Sequence, residues 1–350
     1  MAFQFGFAND EGSDDDGAMD TGSGVKSCPV AAAENPVPVK QHTLEELLAT
    51  LPERISYTTV KVESPLGRIA YIPRRELFDV RLQLLQEDGS SSDQVIDQLE
   101  NSDLRAGVYE GGFKTWECSI DLASLLLDRG PRKDIDELVR CDQVVELGAG
   151  SALPASILFR HAVQNAVTGL TFTLADYNED VLRLVTLPNM LLTWAASTEI
   201  QDSESELPRS DSESQGDLEI TPALIERFKA DLASKNIIIN FLSGPWSSTL
   251  ADLIPQSAPD MGLVILAAET IYSPASTVAF VDLLAILLKR VKMAKAMIGA
   301  KRMYFGVGGS VDGLKAACRD KGAVAYEIEN HGVPGMEGGI GRALIEIQMY

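Results

Sequence analysis

Two kinds of hydrophobic pattern alternate along the chain from about residue 142 onward. Short runs rich in β-branched residues are followed by longer stretches in which apolar residues recur at helical spacing. Such alternation is typical of a mainly parallel sheet with helices on both faces. The short runs predict seven strands, at residues 143–147, 171–175, 237–242, 262–267, 302–307, 324–328 and 343–348.

The amphipathic stretches between these runs predict helices that begin near Leu153, Glu179, Pro222, Pro274 and Val311. Ser273 and Pro274 offer an N-cap followed by proline at the first helical position. Only a short glycine-rich segment separates the last two strands, which leaves no room for a crossover helix. The pattern therefore predicts an α/β fold with a seven-strand Rossmann-like sheet that is mostly parallel and ends in a C-terminal antiparallel hairpin.

The region upstream predicts shorter elements. Residues 44–51 and 120–127 have helical patterns, and residues 57–62 and 67–72 have strand patterns. We interpret residues 41–130 as a small N-terminal cap and residues 131–350 as the main domain.

The net charge of −21 is unevenly distributed. Residues 1–40 hold seven acids against two lysines, and residues 196–220 hold eight acids against one arginine. Both segments are rich in Ser, Asp and Glu and poor in aromatic residues, which predicts a disordered tail and a disordered surface insertion. An acidic surface of this kind disfavours direct binding of duplex nucleic acid and would help to attract a basic protein partner.

The sequence lacks the signals that are typical of several classes of protein and of several kinds of site. The first 20 residues have neither a basic nor an apolar leader segment, and charges interrupt the apolar stretches well short of a membrane span. The four cysteines form no C-x-x-C pair, and the three histidines cluster with neither cysteines nor carboxylates. We therefore expect a soluble protein of the cytoplasm and nucleus, with no metal site and no serine–histidine triad.

The segment VVELGAGSALP passes from a hydrophobic strand through a glycine turn into a helix. Gly148 and Gly150 permit the tight turn and let a ligand approach the backbone, as in nucleotide-binding folds. The NAD-binding fingerprint requires glycine at position 153, which is Leu153 in this chain. The turn is closer to the G-x-G-x-G form of methyltransferases, with Ala152 as a small residue at the third position. Such a turn is weak evidence when it stands alone.

Two further residues are predicted at the same edge of the sheet. Asp176 ends the second strand, where a carboxylate can accept hydrogen bonds from both ribose hydroxyls of a nucleoside. The alternative is that Asp176 caps the next helix. Trp246, in the segment GPW after the third strand, either lies against an adenine ring or packs in the core.

The segment ETIY, residues 269–272, directly follows the apolar run GLVILAA. Because carboxyl ends of parallel strands face the ligand crevice, Glu269 and Tyr272 should project towards the reacting group. The alternative is that Glu269 only caps the helix that begins near Pro274.

Six segments together resemble the eukaryotic protein-histidine methyltransferases of the methyltransferase-like 18 type: GVYEGGFKTWECSIDL, VVELGAGSALP, LADYNEDVLRLVTLPN, FLSGPWSS, AAETIYSP and YFGVGGSV. The resemblance covers residues 100–350 and implies the methyltransferase variant of the predicted fold, with S-adenosyl-L-methionine (SAM) as cofactor. Its E-G-G-x-K-x-W-E block and its Y-F-G-V-G-G run are more specific than the glycine turn. The acid-x-x-aromatic motif at 269–272 is shared with many lysine methyltransferases and identifies only the wider group.

The resemblance also implies which residues bind the cofactor: Lys114, Thr115, Trp116, Glu117, Cys118, Glu146, Gly148, Gly150, Asp176, Tyr177, Asn178, Gly244, Pro245, Trp246 and Ala268. This chain departs from the expected pattern at Ala268, where a serine is expected, and at Ala149 and Ala152. These departures could remove a hydrogen bond without removing the pocket.

The chemistry of the implied acceptor singles out three catalytic candidates. A histidine with a pKa of about 6.5 is mostly neutral at cytosolic pH, whereas a lysine with a pKa of about 10.4 must first lose a proton. Imidazole instead needs a group that accepts the hydrogen of its other ring nitrogen and so fixes the tautomer. Glu269 is the expected acceptor, with Tyr272 and Asn178 as lesser candidates.

The substrate that the resemblance implies is a basic protein, the third protein of the large ribosomal subunit, methylated on the tele nitrogen of one histidine. Two alternatives stay open at this point. One is a lysine methyltransferase of the same group that acts on a translation or chaperone protein. The other is a SAM-binding ribosome-assembly factor without turnover.

Overall fold

A sheet of eight strands runs through the part of the chain that the computed structural model describes, which is residues 37–87, 111–128, 140–198, 208, 211–329, 332–336 and 341–350. Three further strand segments form a second, smaller sheet. The strands are β1 (Lys40–His42), β2 (Arg54–Glu63), β3 (Ile69–Arg75), β4 (Cys141–Leu147), β5 (Thr171–Asp176), β6 (Gln215–Glu219), β7 (Ile238–Ser243), β8 (Gly262–Ala268), β9 (Ala294–Lys301), β10 (Ala323–Glu327) and β11 (Arg342–Met349).

The helices of the described residues connect and cover these strands. One of them, α5, contains a π-helical turn, Leu182–Thr186, between Glu179–Val181 and Leu187–Ser197. The others are α1 (Leu44–Leu48), α2 (Leu77–Gln86), α3 (Glu117–Asp128), α4 (Leu153–Gln164), α6 (Pro222–Ser234), α7 (Ser248–Leu253), α8 (Pro274–Leu288) and α9 (Val311–Asp320). Helices α2 and α7 are not predicted by the hydrophobic pattern.

The order of the strands in the large sheet is β1, β7, β5, β4, β8, β9, β11, β10. The strands from β7 to β9 pair in parallel, whereas β11 is antiparallel to both of its neighbours. The predicted parallel sheet with an antiparallel C-terminal hairpin is confirmed. Strand β1 pairs antiparallel with β7 and adds an unpredicted eighth strand. Lys40 therefore belongs to the sheet and not to the acidic tail, whose residues 1–36 lie outside the described residues.

Successive residues of the central strands point into two hydrophobic cores, one on each face of the sheet. Val144 of β4 packs with side chains of α3, α4 and α5, and Val145 packs with side chains of α7, α8 and α9. Strands buried on both faces have near-continuous apolar runs, which explains why the sequence locates them well. The predicted cap of α8 is confirmed, with Ser273 accepting a hydrogen bond from the backbone of Ser276 and Pro274 in the first turn.

The acidic segment 196–220 is not a wholly disordered insertion. Its end contributes β6, which pairs antiparallel with β2 in the small sheet of β3, β2 and β6. Leu218 is buried there, and the Ser56 hydroxyl donates to Asp217 at 2.6 Å. The acidic composition of the segment conceals strand β6, because Leu218 is its one residue that is buried in the core. Within this segment, residues 199–207 and 209–210 lie outside the described residues.

The prediction of a strand at 302–307 is wrong. The fifth parallel strand is β9, and residues 302–309 form the loop that directly follows it in the chain. Strand β9 is rich in Ala and Lys, so the more aromatic run that follows has the stronger strand propensity. The loop packs against the segment 269–272. The Gly309 N–H donates to the Tyr272 carbonyl at 3.0 Å, and a Cβ at Gly309 would lie 1.9 Å from the Ile271 carbonyl oxygen.

Candidate active site

A cavity of about 340 Å³ opens at the carboxyl ends of the parallel strands. Its walls are the turns that follow β4, β5, β7, β8 and β9, together with the segment that leads into α3. Its volume lies in the range of small-molecule sites, and its position is where open α/β sheets bind ligands.

The glycine turn after β4 forms the floor of this cavity. Gly150 has a φ of +50°, and a Cβ there would lie 3.0 Å from the Gly112 carbonyl oxygen, so this position requires glycine. Ala152, the N-cap of α4, also has a left-handed backbone with a φ of 52°. A glycine is favoured at that position, and alanine adopts it here at some conformational cost.

Glu146, at the end of β4, is buried beside the turn. Its Oε2 accepts the Ala155 N–H at 2.8 Å, which ties the strand to the first turn of α4. Burial, with a smaller contribution from the charge of Asp176, raises the pKa of Glu146 to about 8. A carboxyl group with this pKa is largely protonated at neutral pH and can donate as well as accept a hydrogen bond.

Asp176 lines the cavity at the end of β5, but it is buried and already engaged. Its Oδ2 accepts the Gly150 N–H at 2.9 Å, and its Oδ1 accepts the Asn178 N–H at 3.2 Å. The N-cap of α5 is Asn178, so the interpretation of Asp176 as the helix cap is wrong. Burial raises the pKa of Asp176 to about 6. The backbone N–H groups of Gly150, Asn178 and Tyr177 all hydrogen-bond to this carboxylate, which leaves one lone pair of its two oxygens for a ligand.

Two side chains that the sequence did not point to hold the glycine turn from behind. The Thr186 hydroxyl donates to the Gly150 carbonyl at 2.7 Å, and the Asn189 amide donates to the Ser151 carbonyl at 2.9 Å. Thr186 ends the π-helical turn of α5, and such turns are frequent at functional sites. Because these two hydrogen bonds fix the carbonyl groups of the glycine turn, the turn presents a defined shape to the cavity.

Trp116 and Trp246 supply apolar walls. The Trp116 indole N–H donates to the Gly111 carbonyl at 2.8 Å, which fixes the ring at the start of α3. Trp246 lines the cavity while its ring packs at 5.2 Å from that of Phe280. Trp246 therefore packs against the core and also lines the cavity, and its contact with an adenine ring stays a prediction.

Glu269 follows β8 with a φ of 59°, a left-handed backbone that is uncommon outside glycine. Its N–H donates to the Gly299 carbonyl at 2.9 Å. The side chain lines the cavity and is only 7% exposed, yet Oε1 has no hydrogen-bond partner. Since α8 is capped by Ser273, the interpretation of Glu269 as a helix cap is wrong. A buried acceptor without a partner calls for an explanation, and a ligand donor supplies one.

Three neighbours surround the Glu269 carboxylate. Lys301 Nζ lies 3.6 Å from Oε1, within ion-pair distance. Burial, with a further contribution from the charge of Glu269, raises the pKa of the Cys118 thiol and of the Tyr304 hydroxyl, so both stay protonated beside the carboxylate. Lys301 and Tyr304 line the cavity and were missed, because the misplaced fifth strand put residues 302–307 inside the sheet and Lys301 just before its start.

The structure brings most of the predicted residues to this one cavity. Those that line it are Lys114, Trp116, Glu146, Gly148, Gly150, Asp176, Tyr177, Gly244, Pro245, Trp246, Ala268, Glu269 and Tyr272. Four predicted residues do not: Thr115, Glu117, Cys118 and Asn178. Cys118 is buried in α3 behind the wall, the Glu117 carboxylate is largely exposed, and Asn178 begins α5.

Two negative findings concern the described ranges only. No helix there is long and apolar enough to cross a membrane. The same residues contain no group of three or more His, Cys, Asp or Glu side chains that could hold a metal ion.

Two curated relatives match most of the chain. Histidine protein methyltransferase 1 of Schizosaccharomyces pombe is 40% identical over 279 residues, which cover 79% of this chain and 75% of that protein. Histidine protein methyltransferase 1 of Saccharomyces cerevisiae is 34% identical over 349 residues, which cover 92% of this chain and 91% of that protein.

Other comparisons add little. Among solved structures, the calicheamicin-biosynthesis methyltransferase CalO1 is 11% identical, with a TM-score of 0.38 over 78% of this chain and 68% of that chain. A likeness this distant carries no argument. No family model matches. The identity to the two fungal relatives over most of both proteins decides the assignment, and this chain belongs to the histidine protein methyltransferase 1 family.

Proposed function

We propose that the cavity binds S-adenosyl-L-methionine and that the chain transfers its methyl group to a histidine of another protein. One observation carries the proposal: a glycine turn suited to a nucleoside ligand and a buried carboxylate oxygen without a partner line the same cavity. Membership of the histidine protein methyltransferase 1 family supports the choice of acceptor.

The residues of the cavity fit this ligand. Gly148 and Gly150 have no side chains, so the ligand can approach the backbone where its amino-acid part would lie. Asp176 keeps a lone pair for a ribose hydroxyl, and the Trp246 ring offers an apolar surface for adenine. Glu146, largely protonated at neutral pH, adds a neutral hydrogen-bonding group without a second full charge.

The methyl group of bound SAM is activated because it is attached to a positively charged sulfur. The chain's task is therefore to align the acceptor and exclude water. Glu269 Oε1 accepts the N–H of one imidazole nitrogen, which leaves the lone pair of the other nitrogen available for attack. The carboxylate also stabilises the positive charge that develops on the ring, and it takes up or relays the proton that the methylated ring releases.

Tyr272 and Asn178 have smaller parts in this scheme. Tyr272 lines the cavity and packs in the core beside Glu269, so it shapes the acceptor end. Asn178 does not line the cavity, and its backbone N–H is bonded to Asp176, which makes it a poor candidate for tautomer control.

The finer proposal is that the acceptor lies on the third protein of the large ribosomal subunit, at the tele nitrogen of one histidine. The sequence resemblance supports it, and so does charge, since a chain with a net charge of −21 attracts a basic protein at long range. We propose the cytoplasm and nucleus as its location, where ribosomal proteins are made and assembled.

The test incubates the purified chain with methyl-labelled SAM and a ribosomal extract, then hydrolyses the proteins and identifies the labelled amino acid. We expect tele-methylhistidine. Label in methyllysine would favour a lysine methyltransferase, and SAM binding without any labelled protein would favour an assembly factor without turnover. Either result would contradict the proposal.

A further inference from the structure

Lys301 is the second charged group at the acceptor end of the cavity. It ends β9, one strand beyond Glu269 in the sheet, and its Nζ lies 5.3 Å from the centroid of the Trp116 ring. Its side chain is only 17% exposed, so the ammonium group is surrounded mainly by protein and not by bulk water. A cation over the face of a tryptophan is attracted by the ring, which fixes where the positive charge lies.

The partner that matters most for Lys301 is Glu269. Glu117 Oε2 is nearly as close, at 3.9 Å from Nζ, but that side chain is 65% exposed and its charge is screened by solvent. Arg342, a further cation near the start of α3, is paired with Asp121 at 2.6 Å. Lys301 and Glu269 therefore form a compensated pair, and the acceptor end carries no net charge from these two groups.

We propose that Lys301 is a specificity-determining residue, which neutralises Glu269 and so selects an uncharged imidazole over the ammonium of a lysine side chain. This inference rests on the proposed function. A protonated lysine would bring its charge beside Lys301 and beside the positively charged sulfur of SAM, with only one carboxylate to offset three cations. A neutral imidazole donates its N–H to Oε1 of Glu269, which accepts no hydrogen bond from the protein, and adds no charge to the site.

A site that rejects the wrong partner by like-charge repulsion is a common device for specificity. Removing the Lys301 charge would leave Glu269 as an isolated carboxylate, which is the environment that an ammonium group prefers. Specificity should then move towards lysine, whatever happens to the absolute rate. A purely structural role for Lys301 would instead lower activity towards both acceptors together.

The experiment compares wild-type protein with Lys301→Met, Lys301→Gln and Lys301→Arg. Two substrates are used: the third large-subunit ribosomal protein, and the same protein with the histidine that the wild-type chain methylates changed to lysine. We measure kcat/KM for each, and the binding of each to the S-adenosylhomocysteine complex of the enzyme by calorimetry. Lys292→Met is the matched control, since Lys292 is exposed just before the opposite end of β9.

We expect Lys301→Met and Lys301→Gln to shift the histidine-to-lysine preference towards lysine by about tenfold or more, in binding even if lysine turnover stays low. Lys301→Arg and Lys292→Met should keep the wild-type preference. If both neutral variants keep the wild-type preference, and the melting curve of at least one of them shows that it is folded, the proposed role of Lys301 is wrong. The proposed function of the chain would still stand. If the wild-type chain methylates no histidine of the ribosomal protein, the proposed function fails and this inference falls with it.

Discussion

Changing Glu269 to glutamine perturbs the residue on which the proposed chemistry depends. The amide has nearly the same size, and glutamine adopts the left-handed backbone at this position, with its φ of 59°, no less readily than glutamate. It is a poorer acceptor, however, and it can turn an N–H₂ group towards the imidazole N–H. We expect the cavity and SAM binding to survive and methyl transfer to slow.

The structure sets the size of this effect. Glu269 Oε1 is buried and has no hydrogen-bond partner, and its contact with Lys301 Nζ at 3.6 Å is an ion pair longer than a hydrogen bond, so the bond to the substrate replaces no hydrogen bond within the protein. A hydrogen bond to a charged group contributes roughly 1.5–3 kcal/mol. If about 2–3 kcal/mol of it is realised in the transition state, the rate should fall by roughly thirty- to two-hundred-fold.

The assay is single-turnover methylation of the third large-subunit ribosomal protein, with calorimetric SAM binding measured on the same preparation. Tyr272→Phe provides the comparison, because a ring that only shapes the pocket should cost less than the carboxylate. Methylation by Glu269→Gln at the normal rate would refute the reasoning, and control of the imidazole tautomer would then have to come from another group.

Three further predictions concern the turn, the loop and pH. Asp176→Ala should weaken SAM binding and lower the melting temperature, because the Gly150 N–H loses its acceptor at a cost of about 1–3 kcal/mol; unchanged calorimetric affinity would remove Asp176 from the site. Gly309→Ala should destabilise the protein through its contact with residue 271, and a wild-type melting curve would disprove that close approach. The raised pKa of Glu146 means that the folded state holds this proton more tightly, so the ligand-free protein should lose stability as pH rises from 4.5 to about 8; Glu146→Gln should flatten that loss, and a parallel profile would contradict it.

The parallel strands were predictable because burial on both faces leaves a strong apolar signal. Strands β4, β5, β7 and β8 were found within two residues of their observed bounds, and the motifs at their carboxyl ends met in one cavity. Sequence also predicted the hairpin of β10 and β11, since the segment between them is too short for a crossover.

What the sequence hid depends on contacts between distant segments. Lys301 joins the site only because β9 lies beside β8, and an Ala- and Lys-rich strand has little intrinsic signal. The burial of Asp176 under the glycine turn cannot be read from a local pattern. Strand β6 lies in a segment whose acidity dominates its composition, and it is ordered by pairing with β2.

The central claim is that this chain methylates a histidine of a ribosomal protein with SAM. The most direct measurement is fragmentation mass spectrometry of the third large-subunit ribosomal protein, made unmethylated and then incubated with the purified chain and SAM. Our account predicts one added methyl group on the tele nitrogen of a single histidine, absent when SAM is omitted. A methyl group on lysine, or an unmodified substrate in the presence of SAM-bound enzyme, would contradict it.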